Sequence, residues 1–339
     1  MSDATKAISN SGLSRRGLLS LAGVSLLPLA ATACGKKAGD KYPTKGLHIM
    51  APAAAGGGWD ITANAVSDAL TKSGLADEAK VYDVEGAAGT VGLAQFVAQN
   101  HGDPYQLMIT GLVMIGGIVN GASSVGLSQV NKIATLTAEQ ELVVVPKDSP
   151  YESLKDVMDA AKSDPTSITW GGGSAGGTDE ILVLLMAKAY GADPKKMKYQ
   201  AASGGGESKD GLLNGSLDVG VSGPSEYVDL VKKGDLRPLA VSGKKSTKVA
   251  GTAVPTCKDQ GVDVELMNWR GIVAPAGISD ADKKSITALM TKMVETKEWK
   301  DKLAKEGWEN FFKTGDDAKK FYDSENARVT KIFHEVGKA

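Results

Sequence analysis

Two nine-residue stretches set a run of three glycines directly ahead of a helical pattern: Pro52-Ala53-Ala54-Ala55-Gly56-Gly57-Gly58-Trp59-Asp60 and Trp170-Gly171-Gly172-Gly173-Ser174-Ala175-Gly176-Gly177-Thr178. Consecutive glycines let the backbone reach positive φ and approach a ligand without Cβ obstruction. The free N–H groups of the helix that follows, with about half a unit of positive dipole charge, make an anion site. Ser174 and Thr178 add hydroxyls that donate to an anion or cap the helix. Two further clusters are Gly86-Ala87-Ala88-Gly89-Thr90 and Ser203-Gly204-Gly205-Gly206-Glu207. One glycine cluster alone is more often a plain turn. Four clusters, two of them in matching strand–loop–helix positions, point to ligand binding. Asp60 reads as a first-turn residue that stabilises its helix and braces the loop, not as a catalytic acid. Trp59 is read equally well as core or as a pocket wall.

Other chemistries find less support. Gly171–Gly176 satisfies the G-x-G-x-x-G dinucleotide fingerprint, but Lys195 and Lys196 stand where the ribose-binding acid belongs. No Lys-Ser/Thr end completes a phosphate-binding P-loop. The three histidines (His48, His101, His334) and two cysteines (Cys34, Cys257) are far apart in sequence. That argues against a disulfide framework, a zinc site and a Cys/His nucleophile pair, so no metal or cofactor is expected. With 39 basic against 40 acidic residues, no nucleic-acid partner is indicated. Glycine, at 41 of 339 residues, exceeds the usual share of about 7%.

The N-terminus carries an export pattern. Arg15-Arg16 is a twin-arginine pair, followed by an apolar run from Leu18 to Ala33. That run spans roughly 24 Å as helix, short of the roughly 30 Å hydrocarbon core, so it reads as a signal peptide over residues 1–33. The small residues ending at Cys34 resemble a bacterial lipoprotein signal, in which Cys34 is lipidated and becomes the first mature residue. A plain cleaved signal with an incidental cysteine is the alternative. Either places the protein outside the cytoplasm, and the twin arginines favour the twin-arginine route. Removing residues 1–33 leaves 36 basic and 39 acidic residues, a net charge of −3. Gly35 to Lys41 reads as a flexible tether, and Cys257 as a small buried apolar residue.

Strand and helix signals alternate along the rest. Leu47–Pro52, Val81–Val84 and Leu107–Thr110 read as strands, as do Lys132–Leu136, Glu141–Pro146 and Ser167–Trp170. Lys198–Gln200, Leu217–Ser222 and Leu236–Val241 continue the series. Helical patterns lie at Ile61–Leu70, Gly92–Asn100, Leu154–Ser163, Asp179–Tyr190, Asp280–Thr296, Glu298–Glu306 and Asp316–Val336. This alternation predicts an α/β fold with mostly parallel sheets. Both halves open as strand, glycine turn and apolar helix, which indicates two lobes of similar build.

Over the mature chain, the sequence resembles the solute receptors of the tripartite tricarboxylate transporter family. The resemblance rests on Tyr42-Pro43-Thr44-Lys45, the Gly56-Gly57-Gly58-Trp59-Asp60 loop of the tricarboxylate branch, and Gly89-Thr90-Val91-Gly92. Gly111-Leu112-Val113-Met114, Gly171–Asp179, Leu236–Val241, Val254-Pro255-Thr256 and Asn268–Pro275 extend it. Ala55 stands where many members have proline, and Glu180 where histidine is common; Glu180 adds negative charge beside the second loop. The resemblance implies a two-lobed, Venus-flytrap fold of the type II periplasmic-binding kind, with chain crossings near residues 141 and 266. Lobe 1 would comprise 45–140 plus 267–339, lobe 2 141–266, and 34–44 the anchor tether.

It further implies a receptor, not an enzyme, holding a citrate-like di- or tricarboxylate largely through backbone N–H groups. By position, Ala55, Gly56, Gly57, Gly58, Trp59, Asp60 and Thr90 would form the first side. Ser174, Ala175, Gly176, Gly177, Thr178, Ser203, Gly204, Gly205 and Ser222 would form the second. The implied partners are the large and small permease subunits and, through Cys34, the outer face of the cell membrane; the receptor itself is expected to be a monomer. The competing readings are a ligand-sensing partner of a membrane kinase and an exported nucleotide-using enzyme.

Overall fold

The computed structural model describes residues 42–202 and 205–338. Cys34, the signal segment, Ser203 and Gly204 lie outside the described residues. The chain begins with β1 (Leu47–Ala51), α1 (Gly58–Lys72), β2 (Ala79–Asp83), α2 (Thr90–Gln99), β3 (Gln106–Gly111), α3 (Leu112–Gly117) and β4 (Val130–Gln140). It continues with β5 (Leu142–Pro146), α4 (Leu154–Ser163), β6 (Thr169–Gly172), α5 (Thr178–Tyr190), β7 (Lys198–Ala201), α6 (Gly205–Asn214), β8 (Val219–Ser222), α7 (Pro224–Lys233) and β9 (Leu236–Val241). A hairpin of β10 (Thr247–Val249) and β11 (Thr252–Val254) follows. The chain closes with β12 (Met267–Pro275), α8 (Asp280–Met293), α9 (Lys297–Glu306), β13 (Glu309–Thr314) and α10 (Gly315–Val336).

Besides the two-stranded β10-β11 hairpin, two larger sheets result, one per lobe: β13-β4-β12-β3-β1-β2 and β7-β6-β8-β5-β9. Mostly parallel ladders were expected, and here the structure differs. The sheets are mixed: β12 runs antiparallel to both β3 and β4, and β5 runs antiparallel to both β8 and β9. The physical reason lies in the crossings. In open α/β sheets the ligand crevice lies at the carboxyl ends of the strands. A strand arriving from the other lobe enters at that end and must run away from it. Those arriving strands are β5 in the second sheet and β12 in the first. At the outer edge of the first sheet, β13 also pairs antiparallel with β4.

One buried side chain ties both crossings together. Ser242 Oγ accepts from Glu141 N–H (2.8 Å) and donates to the Leu266 carbonyl (2.6 Å). Its own backbone bonds both as well, its N–H to Glu141 O (2.9 Å) and its carbonyl to Leu266 N–H (3.0 Å). Replacing Ser242 with alanine strands a buried donor and a buried acceptor, so S242A should cost about 1–3 kcal/mol in urea unfolding. A loss within about 0.5 kcal/mol would show that the junction does not depend on this hydroxyl.

Helices α3, α6 and α7 and strand β13 were not read from the sequence. Pro224 at the first position of α7 was an available start signal. The core covers both lobes, and the indoles of Trp170, Trp269 and Trp299 are fully enclosed. Trp269 stacks edge-on against Phe321 and Tyr322 of α10, with ring centroids 5.1 and 4.8 Å away. The C-terminal helix is thereby fixed to the first sheet. Cys257 is buried and unpaired, with its thiol pushed up to about 12 by burial.

Candidate functional site

The two leading glycine loops fold alike because their local sequences impose the same bonds. Gly56 and Gly176 take positive φ (80° and 76°). The Gly56 N–H donates to Asp60 Oδ2 (2.7 Å), and the Gly176 N–H donates to Glu180 Oε2 (2.7 Å). The next residue closes a turn in each: Gly57 N–H to Ala54 O (3.0 Å), Gly177 N–H to Ser174 O (2.8 Å). Gly57 and Gly177 are then N-caps without a side-chain cap, in extended conformation. The N–H groups of Gly58, Trp59 and Thr178 open their helices and have no intrahelical acceptor. Each loop thus has a carboxylate strut on its own helix and further donors at the helix start. Asp60 acts as a brace, as read from the sequence.

Glu180 is more than added negative charge. Its Oε1 is paired with Lys338 Nζ beyond the end of α10, so a lysine from the C-terminus balances it. Asp179 braces the same loop by accepting from the Gly173 N–H (2.5 Å).

Trp59 is core. It is 8% exposed, and a Cβ on Gly89 would lie 2.3 Å from its ring. Gly89 also takes φ 82°, so both space and backbone demand glycine there. The Trp59 ring thus carries the loop at the start of α2, where Ala87 and Ala88 adopt positive φ (47° and 53°). Left-handed alanines cost on the order of 1–2 kcal/mol each and mark a constrained loop. Thr90 Oγ1 donates to Ala87 O (2.7 Å) and holds that turn.

Helix α3 brings the lobes together. Gly117 lies against Ala88 and Thr90 of its own lobe, and Gly116 lies on the Gly176 carbonyl of the other. Thr178 Oγ1 reaches Asn268 Oδ1 of β12 at 3.3 Å. Ser222 ends β8, half-buried opposite Leu142 at the crossing, and Gly205 opens α6. Ala54, Ala55, Gly56 and Gly58 are exposed, whereas Gly176, Gly177 and Thr178 are covered. A cavity of about 650 Å³ over Lys132, Lys283 and Lys319 contains none of these residues.

Beneath the loops lies a charged floor that sequence reasoning missed. Strand alternation puts Asn268 and Arg270 on one face of β12, with Trp269 on the other. Arg270 Nη2 pairs with Glu139 of β4, and its guanidinium lies 5.0 Å from the Trp308 ring and against Gly58 of α1. Glu139 faces Gly223, the N-cap of α7 in the other lobe. Glu141, at the crossing, is fully buried, with neither carboxyl oxygen hydrogen-bonded. Burial first, then Asp179 and Glu139, holds Glu141 well above the usual carboxyl range, with Arg270 and Asn268 opposing. Burial likewise pushes Asp179 up to about 7, against the Gly173 N–H that favours its charge.

A two-lobed α/β body with matched loops of free helix-start N–H groups, one on each lobe, is a build that solute receptors use. The chain belongs to the tripartite tricarboxylate transporter family receptors, whose family model matches residues 63–338. The UPF0065 protein in the gbd 5′ region of Cupriavidus necator is 24% identical over 332 residues, covering 96% of this chain and 99% of that one. Among solved structures, MatC from Rhodopseudomonas palustris with bound malate superposes with TM-score 0.70 at 18% identity, over 86% of this chain and 99% of that chain. An R. palustris protein with adipate gives TM-score 0.72 at 20% identity, over 87% and 98%. Among the described residues, no helix is long and apolar enough to cross a membrane.

Proposed function

We propose that this receptor captures a citrate-like di- or tricarboxylate between its lobes and delivers it to the membrane subunits of a tripartite tricarboxylate transporter. The observation that carries this reading is the pair of matched loops, Gly56–Asp60 and Gly176–Glu180, each with helix-start N–H groups and one from each lobe. Malate and adipate in two structures of the same fold support a carboxylate ligand. One carboxylate of the ligand meets the loop at Ala55–Asp60 and the turn at Thr90. The other meets Ser174–Thr178, Ser203–Gly205 and Ser222. A ligand that touches both lobes only when they are closed drives closure by its differential affinity. Lobe limits at residues 140/141 and 266/267 belong to the same proposal. So do twin-arginine export and anchoring of a monomer to the outer face of the membrane by lipidated Cys34.

Thermal unfolding of the purified protein with a carboxylate panel tests the reading. At about 100 times its Kd, a bound acid should stabilise the fold by roughly 2.7 kcal/mol and raise Tm by several degrees. A shift with citrate, malate or adipate, but none with acetate or neutral sugars, is the expected result. No shift with any of the three would overturn it.

A further inference from the structure

Three carboxyls and one guanidinium are shut into the junction between the lobes. Glu139 and Asp179 are each 8% exposed, Arg270 is 7% exposed and Glu141 is not exposed at all. They come from β4, α5 of the opposite lobe, β12 and the crossing. Arg270 is committed to Glu139 through Nη2, and Glu141 has no ion-pair partner among the described residues, with the Asn268 amide nearby to favour its charge. Asp179 takes only backbone donation.

The other charged groups nearby are already paired. Glu226 of α7 meets Lys209 (3.4 Å), and Glu180 meets Lys338. The remaining titratable neighbours, Tyr199 and Tyr227, carry phenols that burial holds neutral. If all three acids were ionised, the junction would hold two uncompensated negative charges away from water. A buried carboxyl in that position takes a proton instead.

We propose that the lobe junction is a proton site: closure over a carboxylate traps H⁺ between Glu141 and Asp179, so that the anion and a proton are captured together. This rests on the carboxylate-receptor reading and adds its regulation. When the lobes part, water reaches Glu141 and Asp179 and they ionise in the ordinary range near 4. Closing removes that water and brings Asp179 of one lobe onto Glu139 of the other, beside Glu141 at the crossing. The raised carboxyls bind protons in the closed state and not in the open one, between about pH 4 and the value near 7 reached by Asp179. Linkage then makes affinity rise as pH falls through that window, by up to about tenfold per pH unit for each proton taken up.

Calorimetric titration of malate and of adipate into the purified protein at about pH 7, in phosphate and in Tris, reads the proton directly. Both probes are fully ionised there. The apparent binding heats should differ by the difference between the two buffers' ionisation heats, multiplied by about 0.5–1 proton taken up per ligand. Affinity should weaken about 3- to 10-fold from pH 6 to pH 7. Glu141→Gln keeps the shape and removes the acid, so it should still bind but with at most half the proton uptake; Asp179→Asn serves as a second variant. Binding with equal heats in both buffers and no pH slope would overturn the proton site and leave the carboxylate reading intact. Proton uptake unchanged in both variants would overturn its assignment to this cluster. No binding of malate, adipate or citrate at all would overturn both.

Discussion

Gly116→Ala should abolish ligand-induced stabilisation, weakening carboxylate binding by at least about 100-fold, or roughly 2.7 kcal/mol. A Cβ at this position would lie 1.7 Å from the Gly176 carbonyl oxygen and 2.9 Å from its carbon. Both are backbone atoms of the opposite lobe, held by the turn and by the Glu180 strut, so no side-chain rotation relieves the overlap. The lobes must stay apart by more than an ångström at that contact. Inside its own lobe, Gly116 sits in α3, where alanine is the better helix former, so the unliganded fold should keep its Tm within a few degrees. Gly126→Ala is the control: a Cβ there meets nothing closer than 3.9 Å, and the ligand shift should persist. A wild-type ligand shift in G116A would mean that capture does not require this contact.

Arg270→Met should be the most damaging single change to the floor, costing roughly 3–5 kcal/mol in urea unfolding. It leaves the buried Glu139 carboxylate without its partner and removes the guanidinium stacked over Trp308. Most of that cost comes from an uncompensated buried charge, not from the value of the pair itself. The double variant Glu139→Leu with Arg270→Met should therefore recover most of the loss. A cycle in which R270M costs under about 1 kcal/mol would place the pair with exposed ion pairs and remove it from the hinge energetics.

The loops were legible in the sequence because their decisive bonds are local. Gly56 to Asp60 and Gly176 to Glu180 are each four residues apart, within the reach of one helix turn. A glycine run followed by a first-turn acid therefore announces the geometry before any tertiary contact forms. The matching second half announced the two lobes in the same way. Trp59 could not be decided from the sequence, because its burial depends on Gly89 and Gly111, which belong to other elements.

Strand direction was legible only in part. Hydrophobic alternation identifies β5 as a strand, but not that it enters its sheet from the cleft side. β12 was noticed for its residues, and β13 is a half-exposed edge strand whose pattern, Glu-Asn-Phe-Phe-Lys-Thr, does not separate a strand from a helix end. Ser242 was one serine among many until the fold placed two crossings on either side of it.

The sequence by itself determined the donor loops, the lobe duplication and the family, since each is carried by short-range pattern. Only the tertiary structure decided the electrostatics of the junction. Glu139 and Arg270 stand 131 residues apart, and Glu141, next to a run of valines, looks like the polar start of an ordinary strand. The charge state of a carboxyl is set by how much water and which charges surround it, and that is known only once the lobes have met.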